Sequence, residues 1–201
     1  SVSDVFREVP LAFNKSITGR MGPCVLDFPM DIQRTKITQM DMSRLEDNNK
    51  ESKINTGDID SINPIIEEMN KSKRPVILLG HGALSIDNFE DYVQIAEYLD
   101  AFVVSSFLGL GSFDTSSRRF LGYIGHTGHM VANLALSESD FLLVLGSRLD
   151  VRQTGTEVDQ FASNAKIVWV NNDQVELDNP RVKTDWPLKL DVNFFCQSLI
   201  G

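Results

Sequence analysis

Three things are scarce in these 201 residues, and each scarcity closes off a class of protein. Cysteine occurs only at Cys24 and Cys196. Two cysteines so far apart make no disulfide framework, and each is flanked by apolar residues, which reads as a reduced core position in a cytosolic protein. Long apolar runs are missing, and the N-terminus shows no signal-peptide pattern, so the expectation is a soluble, cytoplasmic protein with no membrane partner. Positive charge is also short: 19 Lys and Arg stand against 28 Asp and Glu, a formal net charge of -9. That balance argues against nucleic acid as a partner, and any phosphate must be held locally by a few arginines and backbone N–H groups.

Several signatures of chemistry are missing too. Ser105, Ser106 and Asp114 build no nucleophile elbow, and there is no G-x-S-x-G. The strict G-x-G-x-x-G fingerprint fails after the first strand, where Gly80-His-Gly82 lacks the third glycine. His126 and His129 are spaced H-x-x-H, but a transition-metal site needs more ligands, so no metal is expected there.

What is present is an alternation of strands and helices. With 42% hydrophobic residues the chain can bury a core of its own. Residues 1–33 do not look like the start of a domain: Val5, Leu11, Ala12 and Ile17 suggest an amphipathic helix interrupted at Pro10, followed by one buried strand from Cys24 to Phe28. This segment is assigned to a neighbouring domain. Residues 34–60 are polar and lack an apolar period, which is the composition of a linker. The α/β domain then occupies residues 61–201. A helix over Ser61–Ser72 carries Ile62, Ile65, Ile66 and Met69 on one face, with Pro64 in its first turn. Strands follow at Pro75–Leu79, Ala101–Val104, Phe141–Leu145, Lys166–Val170 and Pro187–Leu190. Helices are expected over Asp87–Leu99, with Asp87 and Glu90 as a capping box, over Val131–Leu136, and over Asn193–Ile200. Gly122, Gly125 and Gly128 read as a Gly-rich turn. The alternation predicts a doubly wound α/β fold with a parallel sheet.

In such a sheet the loops after the strands converge on one edge, where ligands bind. Those loops are Gly80-His81-Gly82, Leu108-Gly109-Leu-Gly111, Gly146-Ser147-Arg148-Leu-Asp150-Val-Arg152, Asn171-Asn172-Asp173 and the turn at Asp191. Glycines there let a ligand approach the backbone, Arg148 and Arg152 can hold a pyrophosphate, and Asn171 or Asp173 can accept from ribose or adenine donors. The plainer alternative is that the glycines serve turns and the arginines pair with Asp150 and Glu157.

A series of motifs, in order, carries a family resemblance. Gly19-Arg-Met-Gly-Pro-Cys-Val-Leu-Asp-Phe-Pro-Met-Asp31 resembles the end of the pyrimidine-binding domain of thiamine-diphosphate enzymes of the acetolactate synthase type. Arg74-Pro-Val-Ile-Leu-Leu-Gly-His-Gly82, Leu108-Gly-Leu-Gly111, Gly122-Tyr-Ile-Gly-His-Thr-Gly128 with Ala132-Asn133, the Gly146–Gly155 loop, and the strand and loop of residues 165–177 resemble that family's middle domain. The resemblance implies a six-stranded, Rossmann-like parallel sheet that binds FAD in some members, ADP in others and nothing known in the rest. It places Arg20, the Gly80 loop, Gly125, His126, Thr127, Gly128, Arg148, Asp150, Arg152, Asn171, Asn172 and Asp191 along the groove for that nucleotide. Four positions depart from the acetolactate synthases: His126-Thr127 stands for their Met-His, Asn171 for Asp, and Leu190 for Gly.

The family's chemistry belongs to its other domains. There a glutamate activates thiamine diphosphate, and a Gly-Asp-Gly to Asn-Asn motif holds it through magnesium; here Gly57-Asp58 is followed by Ile59, and neither element is present. The resemblance therefore implies part of a carboligase or lyase acting on 2-oxo acids, inactive alone. Its partners would be the missing pyrimidine- and diphosphate-binding domains, in a homo-oligomeric parent. The alternatives are a stand-alone adenine-nucleotide module binding NAD or ADP without catalysis, and a ligand-free domain packed between its neighbours.

Overall fold

The computed structural model describes residues 1–37 and 62–200. The chain divides into two units, Ser1–Ile54 and Asn55–Gly201. Nearly all of the expected linker, residues 38–60, lies outside the described residues.

In the first unit a helix runs without a break from Val2 to Ile17, with Pro10 inside it. The expected interruption is therefore corrected. Proline removes one intrahelical hydrogen bond, but no residue of this helix is buried, so the freed carbonyl of Phe6 can meet water. Ser1 and Asp4 close a capping box at its start. The expected strand from Cys24 to Phe28 is also corrected: these residues have no regular structure, Cys24 is exposed and Val25 is 92% exposed. A strand needs a neighbour to take its backbone hydrogen bonds, and none pairs with this segment among the described residues. A helical turn, Met30–Gln33, follows.

The second unit is built on one parallel sheet. Its strands are β1 (Pro75–Leu79), β2 (Phe102–Ser105), β3 (Phe120–Tyr123), β4 (Phe141–Leu145), β5 (Lys166–Asn171) and β6 (Trp186–Lys189). Their order is β3-β2-β1-β4-β5-β6, and every neighbouring pair is parallel. This is the expected doubly wound six-stranded sheet. β1 and β4 sit at its centre and are buried at every position, which is why their sequences, PVILL and FLLVL, are unbroken apolar runs.

Alternate residues serve opposite faces. Ile77, Leu79, Leu143, Leu145, Val168 and Val170 join a core with the helices Asn63–Lys71, Glu90–Tyr98 and Val192–Ile200, through Ile65, Met69, Ile95 and Phe195. Val76, Leu78, Leu142, Val144, Ile167 and Trp169 face the other core, closed by Ala132 and Leu136 of the helix Met130–Glu138 and by Phe161 and Leu177. Each fully buried leucine or isoleucine contributes about 1.5–3 kcal/mol, so the two cores define the sheet's position before any loop is considered.

Two local expectations change. The helix after β1 starts at Glu90, not Asp87, and the capping box of Asp87 and Glu90 does not form. Asn88 does that work: its Oδ1 accepts from the Glu90 N–H and its Nδ2 donates to Asp91, while Asp87 accepts from Asn193 Nδ2 at 2.6 Å. Gly122 belongs to edge strand β3, so the Gly-rich turn is confined to Gly125–Gly128. Gly122 has φ +101°, and a Cβ there would lie 2.1 Å from Nδ1 of His129, whose ring occupies that space.

Candidate functional site

The strand order places β1 and β4 side by side while their chains leave in opposite directions, β1 toward β2 and β4 toward β5. This is the switch point of a doubly wound sheet, and a crevice opens there beyond the carboxyl ends of the strands.

The floor of that crevice is backbone against backbone. The Gly80 N–H donates to the Leu145 carbonyl at 2.8 Å, and the Gly82 N–H donates to the Gly146 carbonyl at 2.9 Å. A Cβ on Gly80 would lie 2.3 Å from the Gly146 oxygen, and one on Gly109 would lie 2.3 Å from the Leu79 oxygen. These glycines let the loops after β1, β2 and β4 touch, at distances that no side chain permits. A second seam joins the turn after β3 to the helical turn Val151–Thr154. The His126 N–H donates to the Arg152 carbonyl, a Cβ on Gly125 would lie 2.2 Å from that oxygen, and Asn133 brackets the backbone of Gly125 with two hydrogen bonds.

The loop after β4 is the most constrained. Gly146 and Leu149 both have positive φ, +62° and +52°, and Leu149 is buried. A leucine holds this conformation only where the surroundings fix it, at a cost on the order of 1–3 kcal/mol. Here its side chain lies in the second core and its N–H donates to Ser147 Oγ, which in turn donates to Gln153 at 2.6 Å. The Ser147 carbonyl accepts from Trp169 Nε1 at 2.6 Å and from Asn171 Nδ2. Arg148, between these anchors, is exposed.

The three site aspartates are helix caps. Asp150 accepts from the Arg152 N–H, Asp173 from the Val175 N–H, and Asp191 from the N–H groups of Asn193 and Phe194. Asn171 is buried, and its Oδ1 accepts from the Asp173 N–H. His81 lies beside the Leu108 carbonyl at 3.4 Å, and Leu108 itself is exposed. Next to it Phe107, Tyr123 and His129 form an aromatic ledge, with edge contacts at 5.5 and 4.9 Å between ring centres.

The structure thus brings together Gly80, Gly82, Gly109 and Gly146, joins Gly125 and His126 to Arg152, and joins Ser147 to Asn171. His126, Thr127, Arg148, Arg152 and Asn172 are exposed. Asp191 starts the helix that packs on the turn His81–Ser85. Arg20 is exposed in the first unit. The expected pairing of the arginines with Asp150 and Glu157 is corrected: Arg148 Nε instead meets Glu176 Oε1 at 2.7 Å. Glu176 escaped the sequence reading because it is distant from Arg148 along the chain and comes near it only through the pairing of β4 with β5.

Two buried groups near the start of the last helix are silenced. Burial pushes the Cys196 thiol and the Tyr92 phenol upward, and the charges of Asp91 and Asp191 add to this. Cys196 is therefore an inert core residue, whereas Cys24 is exposed, contrary to its expected place in a core. Among the described residues no group of three or more His, Cys, Asp or Glu side chains could hold a metal ion, and no helix is long and apolar enough to cross a membrane.

Residues 62–199 match the family described as thiamine pyrophosphate enzyme, central domain. The acetolactate synthase large subunit of Corynebacterium glutamicum is 33% identical over 175 residues, 87% of this chain and 28% of that protein. The corresponding subunit of Lactococcus lactis is 33% identical over 202 residues, 98% of this chain and 34% of that protein. The chloroplastic acetolactate synthase 3 of Brassica napus is 34% identical over 185 residues, 88% of this chain and 27% of that protein. The chain spans about a third or less of each of these relatives.

Proposed function

The chain belongs to the thiamine pyrophosphate enzymes, whose central domain it carries, and from that premise we propose that it is part of an acetolactate synthase-like enzyme acting on 2-oxo acids. In this reading the parent decarboxylates a 2-oxo acid and forms a carbon–carbon bond, in the cytoplasm and as a homo-oligomer. Residues 1–33 are the tail of its pyrimidine-binding domain, residues 34–60 a linker, and residues 61–201 the middle domain. The described residues do not fit thiamine diphosphate and its magnesium, since no acidic or histidine cluster among them could take the metal. That cofactor falls to the domains outside this sequence, and the chain alone is catalytically silent.

The middle domain is then a spacer with an adenine-nucleotide site, for FAD or ADP, at its switch point. The observation that carries this is Arg148: an exposed guanidinium on a rigid loop, with Glu176 as its only ion-pair partner among the described residues. The donor set suits a diphosphate. Arg148 and Arg152 supply charge, while His81, His126 and Thr127 supply polar side chains along the rim. Many of the rim's glycine N–H groups are already spent on backbone carbonyls, so the arginines carry more of the anion than in a glycine-cradled site. A second reading, a stand-alone NAD or ADP module, draws on the strand order, which is also that of dinucleotide-binding domains.

Calorimetric titration of the purified chain with FAD, ADP and NAD tests the proposal, with Arg148→Ala as control. Saturable binding of FAD or ADP that the substitution abolishes supports it. Turnover of pyruvate by the chain alone, or no binding of any nucleotide at millimolar concentration, counts against it.

A further inference from the structure

Arg148 is gripped on one side only. Its one ion pair among the described residues is with Glu176, whose Oε1 lies 2.7 Å from its Nε, and its terminal nitrogens make no hydrogen bond among those residues. Glu176 is the better fixed partner. Its side chain is 19% exposed, against 61% for Arg148, and it sits in the first turn of the helix Gln174–Asp178, which Asp173 caps. Asp150, the nearer acid in sequence, is occupied elsewhere, accepting from the Arg152 N–H and from Gln153 Nε2.

We propose that Glu176 is a positioning residue for the nucleotide site: it holds the Nε edge of the Arg148 guanidinium so that the opposite edge faces a ligand diphosphate. This rests on the nucleotide reading given above. A guanidinium presents five donors in a planar fork, and an anion is bound best by two parallel N–H groups of one edge. An arginine free to rotate loses side-chain entropy when it engages an anion, whereas one already fixed at Nε does not. Glu176 does this from the helix after β5, whereas Arg148 comes from the loop after β4, so the pair ties together the two loops on either side of the ligand's path. As a partly exposed ion pair it adds little to stability. Its effect lies in geometry.

A simpler electrostatic role makes the opposite prediction. If Glu176 acted only as a negative charge near an anion site, its removal would tighten binding. The test is titration of the 201-residue chain with ADP and with inorganic pyrophosphate by calorimetry, together with its thermal unfolding midpoint. Glu176→Ala is expected to weaken ADP about tenfold, the size of the ordering cost of one freed arginine side chain when it engages the anion. Glu176→Gln, which keeps an acceptor oxygen beside Nε at the same side-chain length, should restore affinity to within about threefold of the unaltered chain. Tighter binding by Glu176→Ala overturns the assignment, and so does an unchanged affinity with a lowered unfolding midpoint, which marks a purely structural ion pair. Absence of ADP binding by the unaltered chain overturns the nucleotide reading and this assignment with it. Binding that is lost in Arg148→Ala but indifferent to Glu176 overturns only the positioning role.

Discussion

Gly80→Ala tests how the rim is built. The new Cβ would lie 2.3 Å from both the Gly146 carbonyl oxygen and the Ser147 Cα, and 2.5 Å from the Gly146 carbonyl carbon. All three atoms belong to a backbone held by Gly146 φ +62°, the Leu145 carbonyl bond and the Trp169 indole, so no flexible side chain can give way. Relief requires the loops after β1 and β4 to part by more than an ångström, on the order of what inserting a methyl into a packed core demands, at about 1–3 kcal/mol. Parting also threatens the hydrogen bonds from Gly80 and Gly82, each worth about 1 kcal/mol. The combined loss is about 3–5 kcal/mol, a large share of the roughly 5–15 kcal/mol of a typical domain. Thermal unfolding should therefore show a midpoint about 6–20 °C lower. Gly22→Ala is the control, since nothing lies within 4 Å of its would-be Cβ. A Gly80→Ala protein within about 0.5 kcal/mol of the parent would refute the contact between the two loops, because ordinary surface substitutions fall in that range.

Asp140 accepts from the Ser72 hydroxyl and from the N–H groups of Lys73, at 2.8 Å, and Arg74, at 2.9 Å, tying the start of β1 to the start of β4. Burial raises its pKa, but these donors outweigh that and hold it below the usual 3.8. A depressed carboxylate stabilises the fold above its unfolded pKa and loses that contribution as the pH falls through the folded one. Asp140→Asn should thus be less stable at neutral pH by about 1–2 kcal/mol, and denaturant titrations should show the gap closing below about pH 4. Gly122→Ala would drive a Cβ into the His129 ring, displace the bond from the Tyr123 N–H to His129 Nδ1 and loosen the aromatic ledge, seen as altered His129 and Tyr123 side-chain resonances in NMR spectra. A thiol reagent should modify Cys24 in the native chain and reach Cys196 only on unfolding; equal reactivity of both would contradict the burial described for Cys196.

The central sheet was legible because β1 and β4 are buried on both faces, so their apolar runs stand out against the glycines and charged residues that flank them. β3 was not. It is four residues long, lies at the sheet's edge and contains Gly122, a residue that local rules assign to turns. Pro10 misled for a related reason: the rule against proline in helices prices a lost hydrogen bond as if it were buried, and this helix buries nothing. The carboxyl-edge loops could be named from the sequence, since alternation alone says where they converge. The partner of Arg148 could not, because Asp150 and Glu157 are near in the chain while Glu176 is near only after β5 pairs with β4. Nor could the Gly80–Gly146 contact be read, since a glycine that admits a ligand and one that admits another backbone look the same in sequence.

The central claim, an adenine-nucleotide site at the switch point of this middle domain, is tested most directly by backbone amide NMR of the isotopically labelled chain during addition of ADP. The account predicts saturable shifts concentrated at Gly80–Gly82, Gly125–Gly128 and Gly146–Arg152, with little change on the helices beneath the sheet. Shifts concentrated instead in the apolar groove between Ile66, Tyr98 and Leu199, or none at millimolar ADP, would contradict it.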